Sequence, residues 1–280
     1  STNSSIGLIY ALKKIFMEWK KYWSKKKILG VDYFKIKFIF KKYIWKLLKI
    51  QLPKLKDQKN YWNDRGKSYF EEFVTSGYLE REIFYQNIFI ELVNKLHFNS
   101  ILELGCGFGW NLKRVNDEFD GRNIYGIDFS VPQLENAKKY LDKTKNITLE
   151  AGDITKLPYP DNFVDISFSF GVFMNLHKNK VNLAINEAIR VTKNEIIHVE
   201  PINKYYTKEL FDNRVFKTNI VSHDYIEIYK SKGLILKEFL NFDDFKEKHI
   251  LFKQNINKSY ERWEPVEDCS KYCFLVFSKK

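Results

Sequence analysis

A glycine-rich turn that follows an acidic residue carries the strongest chemical signal in the sequence. Residues 101–109 read ILELGCGFG, so an apolar run ends in three alternate glycines. Glycine is required where the backbone turns sharply or where a ligand lies against the main chain. An anionic pyrophosphate at the following helix N-terminus would be repelled by the carboxylate of Glu103. A cationic ligand, such as one with an ammonium and a sulfonium group, would tolerate or favour a carboxylate at this place.

Two more acidic residues follow the next apolar runs. Asp128 ends the run YGID about 20 residues after the turn, where a carboxylate can accept hydrogen bonds from both hydroxyls of a ribose. Asp153 stands in AGDI, where a carboxylate can accept a hydrogen bond from the amino group of an adenine. These are the positions that a cationic nucleoside ligand would need.

The elements that must position these residues alternate between short strands and helices. This alternation is typical of βαβ units and of an α/β domain built on a parallel sheet. Such a sheet binds ligands at the carboxyl ends of its strands, where the strand order reverses. The predicted strands cover 100–104, 123–127, 147–151, 164–169 and 195–199, and the predicted helices cover 111–119 and 132–143.

Further along, the pattern predicts a helix, two strands and a long charged connection. The helix covers 224–232, and the strands cover 234–239 and 272–277. The charged stretch 243–267 between those strands is predicted to be an insertion or a lid.

The positive charge is concentrated at the N-terminus. The 280 residues carry a formal net charge of +12, but residues 1–60 alone hold 16 lysines, no arginine and three acidic residues. We divide the chain into a basic extension, residues 1–59, and a nearly neutral domain, residues 60–280. Within the domain the ligand motifs lie in 100–176, and the C-terminal strands and insertion lie in 223–280. The content of 44% hydrophobic and 17% aromatic residues excludes a mainly disordered chain.

The extension is predicted to form two basic amphipathic helices. Apolar residues recur at helical spacing over 33–52, with lysines mostly on the other side, and residues 6–23 have a similar character. Three interpretations stay open: an interfacial helix on an anionic membrane, a surface for RNA or a protein partner, and a cap whose apolar side packs on the domain. The first would make the protein a peripheral one on the inner face of a membrane.

Cysteine usage and hydropathy predict a cytoplasmic protein. Cys106, Cys269 and Cys273 give no disulfide framework, and the lone C-x3-C pair lacks the further ligands of a zinc site, so no metal is predicted. No stretch approaches the run of about 18 apolar residues that suggests a membrane span. The first residues, STNSSIGLIYALKK, have no basic residue before their apolar run and make a poor signal peptide.

Taken in order, the motifs resemble a known family. ELGCGFG, GIDFS, GDI, LPYPDNFVDISFSFGVFMNL and EAIRVTK follow one another as in class I S-adenosylmethionine-dependent methyltransferases, in the small-molecule branch that includes the ubiquinone/menaquinone-type enzymes. The resemblance covers roughly residues 60–240. It implies a doubly wound, mostly parallel sheet of seven strands in the order 3-2-1-4-5-7-6, with the last strand antiparallel. It also implies S-adenosylmethionine as cofactor and S-adenosylhomocysteine as product.

The same resemblance implies which residues hold the cofactor. The methionine end would lie against Glu103 and the glycines, the ribose against Asp128, and the adenine against Asp153 and Ile154. Ser169 would form the floor below the sulfonium. The implied set is Glu103, Gly105, Cys106, Gly107, Asp128, Phe129, Asp153, Ile154 and Ser169.

An aromatic-rich segment, YWNDRGKSY at residues 61–69, precedes the first strand of the domain. In related enzymes a helix at this place closes over the cofactor, so the resemblance implies a lid that contains Trp62, Arg65 and Tyr69. The guanidinium of Arg65 could meet the carboxylate of the cofactor.

The candidate general bases are His177, His198, Glu200 and His223, and of these His198 and Glu200 end the fifth strand. Many small-molecule members carry a His-His pair after the fourth strand, whereas this chain has MNL there, with His177 one place further on. His198 stands near the end of the fifth strand on the ligand-binding side, close to Glu200. His177 and His198 are therefore the predicted catalytic residues for an acceptor that needs a base.

Together these features predict methyl transfer to a small-molecule, lipid or glycan-precursor acceptor by in-line displacement. The loop after the fourth strand has neither the Asn/Asp-Pro-Pro-Tyr run of amino-methylating nucleic-acid enzymes nor a cysteine for pyrimidine C5 chemistry. Two alternatives stay open, an RNA methyltransferase that uses the basic N-terminus and a non-catalytic cofactor-binding or interaction module. An NAD-dependent oxidoreductase is disfavoured by Glu103 in the turn.

Overall fold

The computed structural model describes the domain almost throughout and the N-terminal extension at a few positions. The described residues are 27–28, 31–32, 40, 43–44, 47–48, 58–75, 78–142, 144, 146–176, 178–202, 223–255 and 272–279. The N-terminal residues form a unit separate from the domain.

The described part of the extension contains one strand pair and a few helical residues. Strands β1 (Lys27–Ile28) and β2 (Val31–Asp32) pair antiparallel. Residues 40, 43–44 and 47–48 are helical and lie within the predicted helix 33–52. The predicted helix 6–23 lies outside the described residues.

The domain alternates strands and helices as the sequence predicts. Its elements in chain order are α1 (Gln58–Thr75), α2 (Tyr78–Val93), β3 (Ser100–Leu104), α3 (Trp110–Glu118), β4 (Asn123–Asp128), α4 (Val131–Tyr140), β5 (Ile147–Ala151), β6 (Val164–Phe170), a 3₁₀ turn (Phe173–Asn175), α5 (Lys178–Val191), β7 (Thr192–Glu200), α6 (Tyr225–Ser231), β8 (Ile235–Leu240), α7 (Phe242–Asn255) and β9 (Cys273–Ser278). Among the described helices none is long and apolar enough to cross a membrane.

Seven of the strands form a single sheet in the order β5-β4-β3-β6-β7-β9-β8. Neighbours from β5 through β7 are parallel, and β9 runs antiparallel to both β7 and β8. Counted from β3, this is the order 3-2-1-4-5-7-6 that the resemblance implies, so the predicted seven-stranded α/β sheet is confirmed. The order reverses between β3 and β6, which opens a crevice at the carboxyl ends of these two strands.

Helices cover both faces of the sheet, so its central strands are buried on both sides. One apolar layer joins the sheet to α2, α3, α4 and α7 and includes Phe89, Leu112 and Phe245. The other layer joins the sheet to α5 and α6 and includes Ile185 and Tyr225. Side chains alternate between the two layers along each strand, so the position of a residue in its strand decides which layer it enters.

The charged stretch predicted as an insertion or a lid begins as the helix α7. Its residue Phe245 is buried and packs against Phe84 of α2 and Phe274 of β9, with ring centroids 5.9 and 5.7 Å apart. This part of the insertion therefore belongs to the core, and residues 256–267 lie outside the described residues.

Gly126 allows the close packing of α3 on the sheet. A Cβ at this position would lie 2.4 Å from Cδ1 of Leu112 and 2.9 Å from the Sγ of Cys106. Leu112 is fully buried, so its side chain has no free space to move into.

We predict that Gly126→Ala destabilises the domain by about 1–3 kcal/mol through overpacking. Leu112→Ala alone should cost about 2–5 kcal/mol, and the double variant should cost less than the sum because the new methyl group occupies the space left by Leu112. Urea unfolding of the three variants measures the coupling. Strictly additive costs would show that the two side chains do not compete for this space.

Candidate functional site

The glycine turn is pinned to the end of β4. The backbone N–H groups of Gly105 and Cys106 both donate to the carbonyl oxygen of Ile127, at 2.8 and 3.0 Å. Gly105 and Gly107 have φ angles of 80° and 53°, which favour glycine. A Cβ on Gly105 would lie 2.5 Å from Cγ1 of Val172, so no side chain fits there. The main chain of the turn is therefore fixed in position and free of side chains at these two glycines.

Asp128 holds the turn from the same strand end. Its Oδ2 accepts a hydrogen bond from the N–H of Gly107 at 2.9 Å, and its Oδ1 accepts one from the N–H of Ser130 at 2.8 Å. Burial raises the pKa of Asp128, although both backbone bonds oppose the shift. Each carboxylate oxygen has a second lone pair, so the hydroxyls of a ribose can still bind as predicted.

Glu103 is a buried carboxylate with one oxygen that no protein group satisfies. Its Oε1 accepts a hydrogen bond from Nδ2 of Asn111 at 2.8 Å, whereas its Oε2 is buried without a hydrogen-bond partner. Burial, with a smaller contribution from the negative charge of Asp128, raises the pKa of Glu103 to about 8. A ligand ammonium would satisfy Oε2 and supply the missing positive charge, so the site fits a cationic group.

A chain of amides orients this carboxylate. Nε2 of Gln86, on α2, donates to Oδ1 of Asn111 at 3.2 Å, and this fixes which end of the Asn111 amide faces Glu103. The sequence reasoning missed both residues. The signal that could have found Gln86 is a polar residue among the buried apolar residues of α2, where Glu82 one turn earlier is buried too.

Two more buried acceptors lie where α1 and α4 meet. Oδ1 of Asn63 and Oε1 of Gln133 are buried without a hydrogen-bond partner, and Nε2 of Gln133 would lie 3.7 Å from a Cβ on Gly107. Gln133 thus adjoins the glycine turn from the side of α4. Sequence reasoning missed this residue too, although it is a buried polar position beside Leu134 on that helix.

The predicted lid residues come together beside the turn. The rings of Trp62 and Tyr69 meet edge to face at 5.8 Å, and the guanidinium of Arg65 lies 5.3 Å from the centroid of the Tyr69 ring. Tyr69 in turn lies 6.2 Å from Phe108 inside the glycine turn. The carbonyl of Trp62 accepts a hydrogen bond from Oγ of Ser130 at 3.3 Å. Helix α1 therefore has the position expected of a lid, and its contact with a cofactor stays a prediction.

The residues predicted for the adenine lie at the end of β5. Oδ1 of Asp153 accepts hydrogen bonds from the N–H and the hydroxyl of Thr155, at 2.9 and 2.7 Å, and the side chain of Ile154 is buried. The N–H of Gly152 donates to the carbonyl of Asp128 at 3.1 Å, so this strand end adjoins the proposed ribose position. The role of Asp153 and Ile154 stays a prediction.

Two other residues implied by the resemblance lie inside or next to this region. Cys106 is buried in the glycine turn, and burial raises the pKa of its thiol well above the usual range, so it is not a thiolate nucleophile. Phe129 follows Asp128 and is half-buried. Within the described residues, His, Cys, Asp and Glu form no group of three that could hold a metal ion.

Ser169 faces away from Glu103. In the parallel pair of β3 and β6, Glu103 is opposite Phe168, so the next residue, Ser169, points into the other layer. Its hydroxyl is fully buried, lies 2.7 Å from Nδ1 of His198 and donates to Oε1 of Glu200 at 2.9 Å. A cofactor that lies beside Glu103 could therefore contact the backbone of Ser169 but not its side chain.

His198 is enclosed by protein groups. It has no exposed surface, and Nε2 lies 2.6 Å from the hydroxyl of Tyr229, while Nδ1 is engaged with Ser169. Burial lowers the pKa of His198 to about 3, so the ring is neutral at physiological pH. With both nitrogens occupied, His198 has none to offer an acceptor, and the geometry does not support its predicted catalytic role. His177 lies outside the described residues.

Comparisons with known sequences agree with this geometry. Residues 101–195 match the family described as a methyltransferase domain. Over 110 residues, 38% of this chain, the sequence is 36% identical to malonyl-[acyl-carrier protein] O-methyltransferase of Buchnera aphidicola. Over 110 residues, 39% of this chain, it is 30% identical to demethylmenaquinone methyltransferase of Renibacterium salmoninarum. The matches span 40% and 43% of these relatives, less than half of each.

Solved structures share the fold. A proposed sarcosine dimethylglycine methyltransferase of Galdieria sulphuraria superposes with a TM-score of 0.53 at 18% identity, over 70% of this chain and 84% of that one. Geranyl diphosphate C-methyltransferase of Streptomyces coelicolor, in complex with S-adenosylhomocysteine, has a TM-score of 0.50 at 13% identity, over 65% of this chain and 71% of that one. At these identities the likeness shows the fold alone.

The sheet order, the glycine turn and the family match define an α/β domain of the class I methyltransferase type. The fold is that of class I S-adenosylmethionine-dependent methyltransferases, and the matched part of the chain is similar to methyltransferases, as the resemblance implied. S-adenosylmethionine is the cofactor of this class, and the free oxygen of Glu103 fits its ammonium group.

We predict that Glu103→Gln weakens the binding of S-adenosylmethionine about tenfold to hundredfold, because a hydrogen bond to a charged group is lost from a buried site. In the parent, Glu103 is largely protonated at pH 7, and the incoming cation favours its ionised form. Binding should therefore release a proton, and the affinity should rise with pH from about 6 towards 8.

Calorimetric titration at pH 7 in phosphate and in Tris measures this proton release, since the two buffers have different ionisation enthalpies. Glu118→Gln is the matched control because that carboxylate is exposed and pairs only with Arg114, at 3.4 Å. Equal proton release by the parent and by Glu103→Gln would contradict the assignment.

Proposed function

We propose that this protein transfers the methyl group of S-adenosylmethionine to a small-molecule or lipid-like acceptor. The observation that carries the proposal is the unsatisfied Oε2 of buried Glu103 beside the glycine turn. The carboxylate of Glu103 would repel the phosphates of a dinucleotide, whereas its Oε2 would accept a hydrogen bond from an ammonium group.

The residues of the chain would act by binding and orientation. When bound, the cofactor supplies a methyl group already activated by the sulfonium. Glu103 would fix the methionine end, Asp128 the ribose, and α1 would exclude water from above. Alignment of the two reactants can lower a barrier by about 7–11 kcal/mol, so the protein needs little further chemistry for a nucleophile that carries no proton to remove.

The crevice beside this position has an aromatic wall. Phe170, at the end of β6, lies 6.2 Å from Trp110 and 5.4 Å from Tyr272, measured between ring centroids. A Cβ on Gly171 would lie 3.0 Å from the hydroxyl of Tyr272 and 3.4 Å from Cε of Met174. Such a wall suits a flat or apolar acceptor. Acceptors of the relatives, a malonylated carrier protein and demethylmenaquinone, include both an acyl chain and a quinone.

We predict that S-adenosylmethionine binds at one site per chain and that NAD does not bind there. Calorimetric titration with each compound measures this. Incubation of the protein with methyl-labelled S-adenosylmethionine and fractionated cell extract should then place the label in the metabolite or lipid fraction, and Glu103→Gln should greatly reduce it. Label in RNA would favour the alternative of an RNA methyltransferase. Tight binding with no transfer into any fraction would favour a non-catalytic module, and preference for NAD would overturn the proposal.

We also propose that the extension brings the cytoplasmic enzyme to an anionic membrane surface. Its support is the 16 lysines and three acidic residues of residues 1–60, with aromatic residues between the lysines. Four apolar side chains in helical positions of this segment, Phe40, Tyr43, Leu47 and Leu48, are exposed by 59–78%. Basic helices with exposed apolar side chains insert at the interface of anionic bilayers.

We predict that the full chain sediments with vesicles that contain phosphatidylglycerol and much less with neutral vesicles, and that salt weakens the binding. Replacement of Lys41, Lys42, Lys46 and Lys49 by Glu should abolish sedimentation. The matched control makes the same charge change at exposed positions in or directly after two helices of the domain, Lys138, Lys139, Lys230 and Lys232. Equal sedimentation of the two variants would refute membrane binding through the extension.

A further inference from the structure

Glu200, at the end of β7, is a fully buried carboxylate that serves as the acceptor for a whole turn of backbone. Its Oε1 accepts hydrogen bonds from the N–H groups of Val172 and Phe173 at 2.7 and 2.9 Å, and its Oε2 accepts one from the N–H of Met174 at 3.1 Å. The hydroxyl of Ser169 adds a fourth bond at 2.9 Å. Three successive N–H groups therefore converge on one side chain.

No positive charge compensates this carboxylate in the part of the chain that the structure describes. The ionisable groups near it are Tyr225 and Tyr229 on α6, and His198 on its own strand, which is joined to it through the hydroxyl of Ser169. Burial keeps all three uncharged at neutral pH, since it lowers the pKa of His198 and raises those of both tyrosines. A buried charge without a counterion is costly, so the four hydrogen bonds must hold it in place.

The directions of the hydrogen bonds show that residues in the layer of α6 orient the carboxylate of Glu200. The carboxylate oxygens of Glu200 are the acceptors in all four hydrogen bonds, so the hydroxyl hydrogen of Ser169 points to Glu200. Nδ1 of His198 must then donate to the Ser169 oxygen, and Nε2 of the neutral ring accepts from the hydroxyl of Tyr229. Tyr229, His198 and Ser169 thus form a chain of donors that ends on Glu200.

The turn that Glu200 holds forms part of the proposed methyl-transfer site. Both methyl groups of Val172 press on Gly105, where a Cβ would lie 2.5 and 2.8 Å from them. The side chain of Met174 lies beside Gly171, and Nδ2 of Asn175 donates to the Gly171 carbonyl at 3.0 Å. The turn therefore touches the glycine turn on one side and the aromatic wall on the other.

We propose that Glu200 is a positioning residue, which fixes the backbone of residues 172–174 against the glycine turn and thereby sets the acceptor side of the site. This inference rests on the proposed function for its consequence in catalysis. From the sequence Glu200 is a candidate general base, whereas in the structure both of its carboxylate oxygens accept hydrogen bonds from protein groups.

The test is Glu200→Gln, read by hydrogen exchange of individual backbone amides. The substitution keeps the shape and removes a buried charge, so the fold is expected to survive. A glutamine offers the three N–H groups only one acceptor atom, its amide oxygen. Its NH₂ group, a donor, then faces the N–H groups that the oxygen does not accept from. Amides of Val172, Phe173 and Met174 should exchange about tenfold faster, because hydrogen bonds to a charged acceptor are lost. Amides in β3 and β4 should keep their rates.

The second readout compares the effect of Glu200→Gln on cofactor affinity with its effect on the rate of methyl transfer. Calorimetric affinity for S-adenosylhomocysteine should change less than about threefold, because Glu103 and Asp128 are untouched. Methyl transfer at saturating S-adenosylmethionine should fall about tenfold or more, because the acceptor side loses its alignment. The matched control is Glu195→Gln on the same strand, whose carboxylate pairs with Lys237 at 2.8 Å and touches no part of the turn. It should leave the exchange of the three amides unchanged.

Unchanged exchange at Val172, Phe173 and Met174 in folded Glu200→Gln would overturn the proposal. If Glu200→Gln does not fold, Ser169→Ala becomes the test. It removes one hydrogen bond to the carboxylate and should raise the exchange rates of the same amides about threefold. Exchange rates equal to those of the parent protein would count against the proposal. A parent protein that transfers no methyl group would sink the proposed function, while the exchange measurement would still judge the role of Glu200.

Discussion

The hydrogen bonds between the glycine turn and the end of β4 are the constraint on which the site depends. The carbonyl of Ile127 accepts from two successive N–H groups of the turn, and Asp128 accepts from a third. These bonds bring Asp128 near Glu103, close enough for its charge to raise the pKa of Glu103. Two carboxylates in one buried place repel each other and are poorly solvated. A ligand with positive charge relieves both costs, so the fold of the turn itself selects the kind of ligand.

Two buried glutamates at strand ends serve opposite purposes in this domain. Glu103 leaves one oxygen free, so its desolvation favours an external cation. Glu200 has both oxygens occupied by the protein, and burial raises its pKa to about 7 even against four hydrogen bonds. The first acid is predicted to recognise the ligand, and the second is proposed to hold the turn at 172–174. Position at the carboxyl end of a parallel strand does not distinguish the two roles, since both residues satisfy it.

What could be predicted from the sequence follows from local rules, and what could not follows from contacts between distant segments. The strands, the sheet order and the glycine turn depend on local patterns and on a known motif order, and these predictions are confirmed. Gln86 and Gln133 came to light only with the structure, because their neighbours lie on other elements far along the chain. His198 shows a different failure, since proximity to a strand end suggested access to the ligand. The alternation along β7 turns its side chain to the layer of α6 instead.

Glu103 and Glu200 lie in different layers of the domain. The layer of α2, α3 and α4 contains Glu103, the residue predicted to bind the methionine end of the cofactor, and Glu200 in the opposite layer accepts the N–H groups of residues 172–174. The family match ends at residue 195, so it includes the glycine turn and Asp128 but stops before Glu200. Relatives named for different acceptors match this chain over about 110 residues. Glu200 lies in the layer of α6, whereas the glycine turn is held by Ile127 and Asp128. The layer of α6 and its loops can therefore change with the acceptor while the hydrogen bonds of the glycine turn remain intact.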